Sequence, residues 1–158
     1  KSQKILKKGK DFTIVATSYM VPESIRALKY IEKNSTLSGS IINFRNYSCD
    51  FTSEIIANVN KTKKIIFIDT AQNCFSIGHN ILQQLREKIN GIQHASLICM
   101  PNTPVPTSHY LTKDLYIGSR EIISKVANIF KLNEKDLLEG FKEPKWHDVP
   151  GEWFKGPF

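Results

Sequence analysis

Four histidines, three cysteines and an aspartate after an apolar run are the residues of this chain best suited to chemistry. His79, His94, His109 and His147 lack the i, i+4 pairing that places two imidazoles on one helix face, so no metal centre is expected. Cys49, Cys74 and Cys99 share no metal-ligand spacing. Thiols beside apolar strands usually act as small core residues, and unpaired cysteines fit a reducing compartment, so the cytoplasm is the expected location. Cys74 five residues before His79 is the one arrangement that could mimic a thiol–imidazole pair, although no orienting or oxyanion group is readable beside it. Asp69 follows the run Ile65-Ile66-Phe67-Ile68. Such an acid could be catalytic; more often it caps the turn that follows. Lys61, Lys63 and Lys64 form a short basic run, read as a solvated turn, and no glycine-rich phosphate loop is spelled anywhere.

The elements that must position these residues alternate regularly. Phe12–Thr17, Ile41–Phe44, Ile65–Ile68 and Ala95–Cys99 are short β-prone apolar runs of the kind buried on both faces. Between them lie amphipathic stretches: one begins near Pro22 with Ile25, Ala27, Leu28 and Ile31, and a second carries Ile55, Ile56 and Val59 behind a Thr52 cap. A third spans about Ser76 to Lys88, and a fourth Gly118 to Phe130. Strands alternating with helices imply a mostly parallel sheet covered on both faces, an α/β/α sandwich. Gln3–Lys7 is expected as an antiparallel edge strand. Met100 to Ser108 holds Pro101, Pro104 and Pro106 and is read as an ordered loop.

The net charge is +7, and Lys1, Lys4, Lys7, Lys8 and Lys10 supply five of those charges. A lysine-rich terminus is read as a solvated edge that discourages sheet-to-sheet pairing, not as a nucleic-acid site. No apolar run reaches the roughly 20 residues of a membrane-spanning helix. A start at Lys1 in place of Met is expected of a processed or excised piece. The tail beyond residue 131 reads as an extension to a domain of residues 1–131: Asn133 is expected to cap a short helix, and Pro144, Trp146, Pro150, Trp153, Phe154, Pro157 and Phe158 follow. Such a segment is too aromatic for disorder and is expected to pack on its own domain or on a partner.

Arg45 to Asp69 resembles the strand–helix–strand unit R-T-L-x-P-x-D-x-x-x-I-x-x-S-V-K-K-T-x-R-hydrophobic run-D-E, in which Arg45, Lys61-Thr62 and Lys64 hold their places. Gly9 to Thr17 looks like G-x-D-x-T-I-V-A, Gly78 sits at the glycine of G-A-E-I, and Asn102 to Pro106 is similar to D-x-P-x-P. Together these fragments, from about Lys8 to Phe130, resemble the C-terminal domain of transketolase-like thiamine-diphosphate enzymes. The nearest version is the beta subunit of the decarboxylating component of 2-oxo acid dehydrogenases, such as pyruvate dehydrogenase. Thr70, Cys49 and Phe51 depart from the pattern, where relatives carry an acid, a proline and an aspartate.

The resemblance implies a three-layer α/β/α fold with a mixed, mostly parallel five-stranded sheet. It implies no catalytic, cofactor-binding or metal residue in this chain, because thiamine diphosphate and Mg²⁺ are held in the parent enzyme by a G-D-G…N motif and a glutamate of other domains. The expected role is dimerisation and subunit assembly, with a second copy, the cofactor-binding domains or subunit and an acyltransferase component as partners, and neither nucleic acid nor membrane among them. Interface candidates are Asn102, Pro104, Pro106, His109, Tyr110, Trp146, Trp153 and Phe154. The alternative is a stand-alone small α/β enzyme or ligand-binding protein that uses the edge holding Asp69 and His79.

Overall fold

The computed structural model describes residues 3–45, 51–149 and 151–152. The elements run β1 (Gln3–Lys7), β2 (Phe12–Ala16), α1 (Met20–Asn34), β3 (Gly39–Phe44), α2 (Ser53–Thr62) and β4 (Lys64–Gln72). A 3₁₀ turn at Asn73–Phe75 precedes α3 (Gly78–Lys88), β5 (His94–Met100), α4 (Ser119–Phe130) and α5 (Glu134–Leu138). Five strands form one sheet in the order β1-β3-β2-β4-β5. Strands β3, β2, β4 and β5 are parallel, and β1 pairs antiparallel with β3 as the edge strand expected from Gln3–Lys7.

Alternation along the strands divides the core in two. Phe12, Ile14, Ala16, Ile41, Ile66 and Ile68 pack with α1, α4 and α5, through Leu28, Ile31, Ile122, Val126 and Leu137. Val15, Ile42, Phe44, Ile65 and Phe67 face the other way, onto Ile55 and Val59 of α2 and Ile81, Leu82 and Leu85 of α3. Because successive side chains of a strand point to opposite faces, a strand serving both layers is apolar at nearly every position, and the exception in β2, Thr13, donates to Asn58 Oδ1 at 3.0 Å. That is why β2 and β4 read as continuous hydrophobic runs.

The helices begin where local chemistry allows. Thr52 caps α2 by accepting from the Ile55 N–H at 3.4 Å, and Asn133 caps α5 by accepting from Lys135 N at 3.1 Å. Pro22 lies in the first turn of α1, where its missing N–H leaves no intrahelical bond unmade. Helix α3 starts at Gly78, two residues later than the periodicity predicts, because Ser76 is committed to a different task described below. A Cβ on Gly78 would stand 2.5 Å from Leu97 Cδ1 and 2.6 Å from Phe67 Cδ1, so glycine there lets the helix approach the sheet.

Candidate functional site at the carboxyl edge of the sheet

Strand β2 is followed by β3 on one side and flanked by β4 on the other, so the winding reverses between β2 and β4. In open α/β sheets the crevice outside the strand C-termini at such a point is where ligands settle. Here the crevice is sutured. Thr17, just beyond β2, donates its hydroxyl to Asp69 Oδ1 at 3.1 Å. Ser76 donates to Asp69 Oδ2 at 3.0 Å, and the Ala71 N–H lies 3.4 Å from Oδ1. Ser76 Oγ in turn accepts from the Gly78 N–H at 3.1 Å. Asp69 is only 6% exposed. Its carboxylate fixes the turn from β4 into α3, the ordinary role of such an acid. The turn from β2 into α1 is strained at Ser18, an exposed residue with φ 45°.

His79 is exposed, and its Nε2 lies 3.0 Å from the Asn73 carbonyl and 2.8 Å from Asn73 Oδ1, so that nitrogen carries the proton. The imidazole therefore braces the 3₁₀ turn. Cys74 is an exposed free thiol on that turn and not the small core residue expected, because the turn lies past the buried part of β4. Cys99, on β5, is partly buried and directs Sγ toward Asn73 Oδ1 at 3.5 Å. Burial, then the nearby Asp69 charge, push its thiol up, away from the thiolate a nucleophile needs. Cys49 lies outside the described residues. No group of three His, Cys, Asp or Glu side chains among the described residues could hold a metal.

A second buried carboxylate went unnoticed in the sequence. Glu23 of α1 is 3% exposed and reaches the N-terminus of α4. Its Oε2 accepts from the Ser119 N–H at 3.0 Å and lies 2.5 Å from Ser119 Oγ, while Tyr19 donates to Oε1 at 3.1 Å. Arg26 lies 3.7 Å from Oε2. Glu23 thus sits in the first turn of its own helix and against the first turn of another, where both macrodipoles favour negative charge. Glu121 completes the α4 start by bending back to the Gly118 N–H at 2.7 Å. Burial and then the Glu23 charge raise the Tyr19 hydroxyl far above its usual range, so it remains a donor. Burial lowers the Arg26 guanidinium, opposed by Glu23.

Beyond this layer the C-terminal tail roofs a cavity of about 370 Å³, walled by Tyr19, Met20 and Met100 and by the charged side chains of Arg26, Arg120 and Glu143. The tail is held by aromatic and imidazole contacts. His109 Nδ1 pairs with Asp148 Oδ2 at 3.1 Å, and Thr112 Oγ1 lies 2.8 Å from His147 Nε2. Thr112 gives its only proton to the His109 carbonyl at 2.9 Å, so His147 is the donor to it. The His109 ring stands 4.2 Å from that of His147 and 5.5 Å from that of Trp146.

The structure therefore brings two of the interface candidates, His109 and Trp146, into one cluster. Asn102 joins two loops by accepting from the Cys74 N–H at 2.7 Å, and the neighbouring Thr103 carbonyl accepts from Gln72 at 2.6 Å. Pro104 and Tyr110 are exposed and Pro106 is half-buried along the same loop. Trp153 and Phe154 lie outside the described residues. Sequence reasoning missed Phe75 and Leu111, which are 79% and 62% exposed and sit on the two loops at this rim with Tyr110, at 83%. Large apolar side chains in turn segments were the available signal.

Comparison with known proteins places this architecture. The model of the family described as Transketolase, C-terminal domain, matches residues 2–122. The pyruvate dehydrogenase E1 component subunit beta of Bacillus subtilis (strain 168) is 26% identical over 137 residues, covering 85% of this chain and 37% of that protein. The subunit of the same name from Staphylococcus aureus (strain Mu50) is 29% identical over 139 residues, covering 88% and 38%. A split gene transketolase solved as an inactive beta4 tetramer shares the fold with a TM-score of 0.68 and 15% identity, over 82% of this chain and 41% of that one. This chain spans about two fifths of the length of these relatives.

Proposed function

Because this chain belongs to the transketolase C-terminal domain family, we propose that it is the non-catalytic assembly domain of a thiamine-diphosphate-dependent enzyme. The parent enzyme would be of the transketolase or 2-oxo acid dehydrogenase class, with a pyruvate dehydrogenase beta subunit as its nearest form. The observation that carries this reading is the family match over residues 2–122, joined to the share of the beta subunits left uncovered. In that share the parent would hold its cofactor and Mg²⁺.

The donor groups support this division of labour. A diphosphate-bound Mg²⁺ needs convergent oxygen ligands. The two buried acids at the carboxyl edge are engaged instead, Asp69 by Thr17 and Ser76, Glu23 by Ser119 and Tyr19. Both acids are committed to the scaffold, which supports a cofactor site elsewhere in the parent. The same geometry weakens the reading of a stand-alone enzyme at the Asp69 and His79 edge, since His79 is bonded to Asn73.

In this role a second copy packs against the rim made by the loop from Asn102 to Tyr110 and its neighbours Phe75 and Leu111. Exposed aromatic side chains on a proline-stiffened loop lose little freedom on association, and a two-fold contact buries the same patch twice. The net charge of +7 works against docking a basic acyltransferase module, so that interaction is expected to be weak. Calorimetric titration of the chain with thiamine diphosphate and Mg²⁺ tests the proposal. No saturable heat is expected; magnesium-dependent micromolar binding would place cofactor contacts in this chain and overturn it.

A further inference from the structure

A groove on the other side of the tail has a charge pattern that the assembly role does not use. It runs between the outer face of α1 and the turn at residues 140–142, and measures about 620 Å³. Pro22, Ile25, Tyr30 and Phe141 form an apolar floor; Lys29, Lys33 and Lys142 stand on the rim. Among the described residues no carboxylate lines it. Of the nearby acids, Glu32 pairs with Lys7, Glu143 with Arg120, and Glu23 with Ser119 and Arg26, while the exposed Glu139 offers the groove its backbone carbonyl and does not line it.

Helix stability accounts for Lys33, which stands in the last turn of α1 where the macrodipole favours a cation, but not for Lys29. Lys29 and Lys33 are exposed and four residues apart on one face, a like-charge spacing that weakens a helix by a few tenths of a kcal/mol. The groove is also built rather than incidental. Arg26 donates to the Lys142 carbonyl and stacks over Phe141 at 4.5 Å. Tyr30 donates to the Glu139 carbonyl and meets Phe141 edge-on at 4.9 Å. Both walls are therefore set before anything binds, which lowers the ordering cost of an occupant.

We propose that this groove docks an acidic peptide segment with one apolar side chain on the floor and carboxylates against the three lysines. From Pro22 to Lys33 a helix advances roughly 16 Å, the span of about five residues in extended conformation. A concave site with an apolar floor fits a peptide better than a bilayer, whose flat surface would meet only the rim. The proposal stands apart from the assembly role and does not need it.

Fluorescence anisotropy at low salt tests it, with a labelled Glu-Glu-Phe-Glu-Glu peptide as probe and phosphatidylserine vesicles as the competing surface. Saturable peptide binding is expected. It should fall at least about tenfold in the Lys29→Glu, Lys33→Glu, Lys142→Glu variant, since three exposed ion pairs are lost and reversed. The Lys4→Glu, Lys8→Glu, Lys10→Glu variant carries the same net charge and should bind within about twofold of the parent. Circular dichroism melts confirm that each variant is folded, and a Lys29→Ser, Lys33→Ser variant serves if the reversal unfolds the chain. Equal losses in both triple variants, no saturation, or groove-dependent binding to vesicles in place of the peptide would each overturn the proposal.

Discussion

The inner and outer layers of the carboxyl edge use opposite chemistry. In the inner layer, Asp69 and Glu23 are buried and every oxygen has a donor from Thr17, Ser76, Ser119 or Tyr19. In the outer layer, Phe75, Tyr110, Leu111 and Trp146 stand exposed on turns. In a catalytic crevice the expectation is reversed, with polar groups open to a substrate and apolar groups walling it. Here acids hold the scaffold together and apolar side chains face outward. The difference teaches that the buried acids of this edge serve the scaffold, while its exposed apolar side chains do not contribute to the core.

The comparison breaks most readily at Glu23. Replacing it by alanine leaves the Ser119 N–H without its buried acceptor and removes the carboxylate 3.7 Å from Arg26. Urea denaturation should show a loss of about 3 kcal/mol, as for a buried charge pair broken from one side. Glu23→Gln keeps an acceptor for Ser119 and should lose clearly less. If both variants match the parent, the inner layer is not a scaffold.

Gly78→Ala should lose about 1–3 kcal/mol in the same measurement, because its Cβ would overlap Leu97 and Phe67. Ser18→Gly should gain about 1 kcal/mol, since glycine adopts φ near 45° without the strain of a side chain and Ser18 is exposed.

The smallest effect belongs to the tail. The hydrogen bond from His109, followed by the weaker help of its charge, holds the Asp148 carboxyl below its usual value of 3.8. A lowered folded value means that this contribution is full above the unfolded pKa and is lost as pH falls through the folded one. Trp146 fluorescence should therefore change below a pH of about 4, and an Asp148→Asn variant should lose that acid step while keeping its melting temperature at neutral pH.

How much of this was legible in the sequence follows the physics of each element. The continuous apolar strands β2 and β4 announce a sheet covered on both faces, and the ordered motif fragments from Lys8 to Phe130 announce the family. Asp69 reads as a turn-capping residue because its place directly after the apolar run is local, although β4 continues past it to Gln72. Glu23 is invisible, since its partner Ser119 lies 96 residues away and an acid in a first helical turn ordinarily faces water. Cys74 misleads for the opposite reason: it follows closely on an apolar strand, but the 3₁₀ turn carries it past the core. The rim residues Phe75 and Leu111 follow no period, because they stand exposed on turn segments outside the α-helices and strands.

Sedimentation velocity of the chain and of a Phe75→Ser, Tyr110→Ser variant tests the outward-facing surface most directly. The parent should sediment as a dimer at micromolar concentration. The variant should sediment as a monomer with a stability within about 0.5 kcal/mol of the parent, since both side chains are exposed in the single chain. A monomeric parent, or a variant that stays dimeric, would contradict the assignment of this rim to assembly.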